Sequence, residues 1–161
     1  MQADQLDVHA LSIEDVVPHR GAMLLLDTLL AADEDSVTVE GPVRRGQLFE
    51  ADAGVPSYVG VEYMAQAIAA WAGCRAVKQG QPVKIGFLLG TRRYACTRTH
   101  FPFGARLRIV ARREVMGDNG LGMFACTLTL GGEVLAEAML SVFEPPDPAA
   151  FLKNPEAGAN P

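Results

Sequence analysis

Between Arg106 and Met116 the side chains alternate, with Leu107, Ile109 and Ala111 against Arg108, Val110 and Arg112. A period of two puts the two sets on opposite faces of a strand. Gly117-Asp118-Asn119-Gly120 reads as a turn, Leu121–Leu130 as the next strand, and Gly131-Gly132 as a tight hairpin into a last strand over Glu133–Phe143. Upstream, residues 84–97 form a strand-like run broken at Gly90, and residues 22–31 form another. Val37-Thr38-Val39-Glu40 is the hairpin partner of that first run, joined to it through Asp33-Glu34-Asp35. Ser12-Ile13-Glu14-Asp15 starts a short helix with Ser12 as N-cap and Asp15 as a weak capping-box partner. Pro18 ends it, because the residue before a proline is pushed out of the helical region. Residues 41–56 are irregular and rich in turn formers.

Residues 57–79 break the two-residue rhythm. Val59-Gly60-Val61-Glu62-Tyr63-Met64-Ala65-Gln66-Ala67-Ile68-Ala69-Ala70-Trp71-Ala72 is apolar on every face of a helix. Ser57 is the predicted N-cap, Lys78 suits the last turn and Gly80 the C′ position. At roughly 1.5 Å per residue the helix is ~34 Å long. A helix with no polar face must be wrapped. The pattern therefore predicts an α+β domain over residues 1–143, an antiparallel sheet wrapped around one long central helix. One small sheet cannot cover the whole helix, so a partner subunit is expected over the rest. Residues 144–161 turn to Pro, Ala, Gly and Asn and read as a flexible tail.

Composition narrows the function. The chain has 161 residues, 49% of them apolar and 20% charged, with a net charge of −5. That balance suits one globular domain and argues against a nucleic-acid or anionic-membrane partner. Cys74, Cys96 and Cys126 are odd in number and widely spaced, which fits neither a disulfide framework nor a zinc site and points to a reducing, cytoplasmic setting. No leader pattern opens the sequence, and the helix carries Glu62, Gln66 and Arg75, so it reads as a core element rather than a membrane span. No nucleotide fingerprint, nucleophile elbow or metal spacing occurs, so neither cofactor nor metal is expected.

Glu62 is the outlying residue. A carboxylate on an all-apolar helix is paired, neutralised or used, and an acid in an apolar crevice is a common device for proton transfer. Its alternative reading is a first-turn acid favoured by the helix dipole or paired with an arginine. Gln66, one turn on, either orients Glu62 or satisfies the helix environment.

Three blocks together resemble a family. Pro18-His19-Arg20 with Met23-Leu24-Leu25-Leu26-Asp27, then Glu62-Tyr63-Met64-Ala65-Gln66-Ala67, then Phe101-Pro102-Phe103-Gly104 are similar, in order and spacing, to the β-hydroxyacyl-acyl-carrier-protein dehydratases. The likeness spans about residues 12 to 143. Phe87-Leu88-Leu89-Gly90-Thr91-Arg92-Arg93-Tyr94 looks most like a dehydratase-like subgroup from bacterial aryl-polyene clusters. The resemblance implies a hotdog fold, a dimer with acyl tunnels at the interface, and substrates carried on phosphopantetheine of an acyl carrier protein. It implies water elimination from 3-hydroxyacyl thioesters in fatty-acid or polyene synthesis. Glu62 falls at the family's helix carboxyl, and the helix start, Ser57 to Gly60, at the backbone donors for the thioester oxygen. Tyr58, Gly60 and Gln66 are the expected substrate-binding positions, and Arg92 and Arg93 the expected carrier docking site.

The family's catalytic histidine has no equivalent in the loop Gln47 to Pro56, where an ungapped alignment places Leu48. Asp52 is a substitute in that loop. His100-Phe101-Pro102 matches the missing motif in letters but follows the helix, and His9 lies in an N-terminal arm. His19 belongs to the family's own Pro-His-Arg, where a structural role is the first expectation and a catalytic role the second. The sequence thus predicts either a homodimer or a heterodimer in which a histidine-bearing dehydratase paralogue faces Glu62. Two further readings remain: a non-catalytic acyl-thioester-binding subunit, and a hotdog thioesterase.

Overall fold

The computed structural model describes residues 6–47, 49–147, 150 and 153. Eight strands form in chain order: β1 (Thr28–Ala32), β2 (Ser36–Pro42), β3 (Val55–Pro56), β4 (Phe87–Cys96), β5 (His100–Phe101), β6 (Arg106–Met116), β7 (Leu121–Leu130) and β8 (Glu133–Phe143). Six make one antiparallel sheet in the order β1-β2-β6-β7-β8-β4, while β3 and β5 pair separately. The helix α1 (Gly60–Lys78) packs against β6, β2 and β7. A sheet wrapped around a central helix is the hotdog arrangement.

The alternation read in the sequence is the reason the sheet curls on the helix. Leu107, Ile109 and Ala111 on β6, Val37 and Val39 on β2, and Phe124, Cys126 and Leu128 on β7 are buried against Tyr63, Met64, Ala67 and Trp71 of α1. Strands β6, β7 and β8 keep the limits their patterns predict. Between β7 and β8, Gly131 and Gly132 take φ of 58° and 87°, the left-handed pair that a two-residue hairpin requires.

Three expectations are corrected. Residues 22–31 are not one strand, because the main chain at Met23 and Leu25 bonds to the Gln66 side chain rather than to a neighbouring strand. Ser57 makes no side-chain cap; Ser57–Val59 is a 3₁₀ turn that leads into a 19-residue helix, shorter than expected at ~28 Å. That turn is pinned from outside, since the Ser57 N–H donates to Thr99 O at 2.9 Å and the Tyr94 hydroxyl donates to Ser57 O. Pairing of two-residue strands at β3 and β5, which holds this corner, carries no periodic signal.

The edges of the main sheet are β1, paired only to β2, and β4, paired only to β8. The β4 register shifts between Leu88 and Gly90, where the sequence predicts a break, and again between Arg92 and Ala95. No helix among the described residues is long and apolar enough to cross a membrane. Leu48 and most of the expected 144–161 tail lie outside the described residues.

Candidate active site

Glu62 sits in the first turn of α1, near the positive end of the helix dipole, with a third of its side chain exposed. Gln66 lies one turn on and is fully buried. Its Oε1 accepts from the Leu25 N–H at 2.9 Å, so its amide nitrogen must face the other way. That nitrogen donates to Met23 O at 2.7 Å and to Glu62 Oε1 at 2.9 Å. Gln66 therefore fixes the direction of the carboxyl and ties the N-terminal segment to the helix. Buried under Glu62, it acts as a positioning residue.

The same N-terminal segment brings His19 to the carboxyl. Val16 and Val17 are buried, and Pro18 turns the chain outward. Arg20 then staples the turn, donating through Nη1 to Val17 O and His19 O, both at 2.7 Å, and through Nη2 to Glu14 O at 2.8 Å. The His19 ring leans toward the helix, with Nε2 3.9 Å from Glu62 Oε1. Its Nδ1 is buried and has no hydrogen-bond partner. Burial pushes the His19 pKa below its ordinary 6.5; Glu62 opposes that shift and Arg20 adds to it.

His19 and Glu62 share the wall of an apolar cavity of about 170 Å³, with Ala65, Ala69, Leu88 and Phe124 along its length. Ala65, Ala69 and Ala72 recur at helical spacing on one face of α1, and their small side chains leave the room. A cleft of about 480 Å³ at the helix C-terminus adjoins the cavity, the two sharing Trp71, Ala72, Lys84, Met116, Gly120 and Glu144 as walls. A carboxyl and an imidazole at the head of an apolar channel can move protons on a substrate whose tail lies among the alanines.

The other candidate residues lie elsewhere. Tyr58 is 67% exposed and does not line this cavity. Gly60 is buried against the Tyr94 hydroxyl and the Phe101 ring, where a Cβ would collide with the hydroxyl. The Gly60 N–H is taken by Ser57 O and Tyr58 O, so neither it nor the Ser57 N–H is free to polarise a thioester. His100 lies on β5 with Nδ1 3.1 Å from Thr99 Oγ1, and Asp52 is exposed in the turn between Ala51 and Gly54. His9 is in a 3₁₀ turn whose cap, Asp7, accepts from the His9 N–H. Arg92 and Arg93 are exposed on β4 and form no ion pair among the described residues. No group of three or more His, Cys, Asp or Glu among the described residues could hold a metal ion. The approach of His19 to Glu62, across 43 positions, has no local signature; Pro-His-Arg was the only hint.

No curated protein matches the chain by sequence. Among solved structures, it is similar to the dehydratase heterocomplex ApeI:P from Xenorhabdus doucetiae, with TM-score 0.80 and 25% identity over 89% of this chain and 96% of that one. The PaaI protein of the E. coli phenylacetic acid degradation operon matches at TM-score 0.56 and 15% identity, over 71% of this chain and 80% of that one. Streptococcus mutans smu.793, solved with acetyl CoA, matches at 0.58 and 15%, over 80% and 94%. These last two share the fold alone. The family model of the ApeP-like proteins, described as ApeP dehydratase, matches residues 11–153, and the chain belongs to that family.

Proposed function

We propose that the chain is a subunit of a 3-hydroxyacyl-carrier-protein dehydratase, eliminating water from a 3-hydroxyacyl thioester to leave the 2-enoyl thioester. One observation carries this reading: Glu62, aimed by a fully buried glutamine, stands at the head of an apolar channel lined by a stripe of alanines. In the reaction the Glu62 carboxyl protonates the departing C3 hydroxyl, and the acyl tail lies along Ala65 and Ala69. The channel excludes water from the tail and strengthens each polar contact at its head.

The working unit is a heterodimer with a paralogous dehydratase chain. Two features support it. Strand β4 is ten residues long and open along one edge, with Leu88 and Leu89 exposed. The helix stripe facing the cavity is only half-buried within one chain. The similar ApeI:P structure is itself a heterocomplex. Arg92 and Arg93 sit on the same edge as cations for an acidic, phosphopantetheine-bearing carrier protein. Three free cysteines suit a cytoplasmic location and the fatty-acid or polyene pathway in which carrier-bound acyl groups are made.

The test is product identity. Given 3-hydroxyacyl carrier protein and its paralogue, the chain should yield enoyl product, and Glu62→Gln should cut kcat by roughly 10²- to 10⁴-fold. Free acid would mean a thioesterase. Unchanged substrate with measurable binding would mean a silent acyl-binding subunit.

A further inference from the structure

A histidine kept for structure uses its ring nitrogens. His19 uses neither in a hydrogen bond: Nδ1 is buried with no partner, and Nε2 stands 3.9 Å from Glu62 Oε1, beyond hydrogen-bond distance. An orphaned nitrogen in a folded protein calls for an explanation, and a catalytic role is one of the few available. The ring lines the same apolar cavity as Glu62, and its backbone is held by the three Arg20 hydrogen bonds, so its placement does not depend on its own nitrogens.

Resting on the dehydratase reading, we infer that His19 is the base of the reaction, so that acid and base belong to one chain and no histidine need come from the partner. His19 Nε2 takes the proton from C2. Removal of that proton leaves the thioester enolate, whose electron pair then forms the C2=C3 double bond as the C3–O bond breaks and Glu62 gives its proton to the departing hydroxyl. Enoyl thioester and water leave, and the proton on His19 returns to Glu62 across the gap. An oxygen placed roughly 2.8 Å from both groups fits beside the line joining them, so a substrate hydroxyl or a water can carry that return. Base and acid on one wall act on one face of the substrate, a syn elimination.

The charged groups around the ring set its protonation. Glu62 faces it from α1, Arg20 adjoins it in the chain, and Lys84 and Glu144 line the same cavity. Burial is the largest influence and favours the neutral ring, the form a base must hold before reaction.

The experiment compares wild type, His19→Asn, His19→Gln and His19→Ala, each assayed with 3-hydroxyacyl carrier protein alone and with the paralogue. The Asn and Gln variants should lose at least about 10²-fold in kcat with KM nearly unchanged. Free imidazole should restore part of the activity of His19→Ala. Glu62→Gln should stop elimination yet still exchange the C2 proton with deuterated solvent, and the doubly substituted chain should not. The wild-type acid limb of kcat/KM should lie below pH 6.5, following the lowered histidine pKa. Full turnover by the Asn and Gln variants in the presence of the paralogue would place the base in the partner and overturn the assignment while leaving the dehydratase reading intact. No enoyl product from wild type in any mixture would sink both.

Discussion

At the scale of single residues, the candidate site is organised by one buried amide. Gln66 is fully buried and satisfies Leu25 N–H, Met23 O and Glu62 Oε1 at once. Gln66→Leu keeps the volume but strands the buried Leu25 N–H and the part-buried Met23 O, for a loss of about 2–4 kcal/mol. In a chain of this size that lowers Tm by roughly 4–16 °C. Thermal unfolding should show that drop together with a fall in kcat, and an unchanged Tm would remove Gln66 from the design. Glu62 was legible in the sequence because a carboxylate on a helix with no polar face is normally paired, neutralised or used. His19 was not. Its motif suggested a structural part, and its approach to Glu62 shows only once the N-terminal segment is seen against α1.

At the scale of elements, the pattern of apolar positions carried most of the sheet. Strands β6, β7 and β8 alternate strongly because one face is buried on α1 and the other is not, and such strands announce their own limits. The helix start was misread because Ser57 is held by Thr99 and Tyr94, contacts that lie about forty residues away in sequence. The cavity was hidden for a related reason: a stripe of alanines on a buried helix looks like close packing until the opposing surface is seen to stand off. Ala69→Phe should fill that space. Each methylene excluded forfeits about 0.8 kcal/mol, so three or four lost from a long acyl chain cost roughly 50- to 200-fold in kcat/KM. A four-carbon substrate should be nearly unaffected, and equal losses at all chain lengths would place the acyl tail elsewhere.

At the scale of the whole molecule, the sheet ends on an exposed edge and the helix keeps a half-covered face, both pointing to a second chain. Leu89 is 56% exposed on β4 and contributes little to the fold of one chain. Leu89→Lys should weaken association with the paralogue at least tenfold while Tm of the isolated chain stays within about 2 °C, because a lysine is a recurrent means of blocking edge pairing. Unchanged affinity would move the interface off this strand. The wrapped-helix architecture was legible from a helix apolar on every face. That β4 lies at an edge was not, because strand order is decided by pairing rather than by local pattern.

The account turns on the Glu62 carboxyl doing chemistry at the head of the channel. Its most direct test is the rate of enoyl formation from 3-hydroxyacyl carrier protein by the assembled complex, with this chain wild type or Glu62→Gln and the paralogue wild type in both. The account predicts that the Gln complex assembles normally, binds the substrate with similar affinity and falls at least about 10²-fold in rate. Equal rates from the two complexes would contradict it.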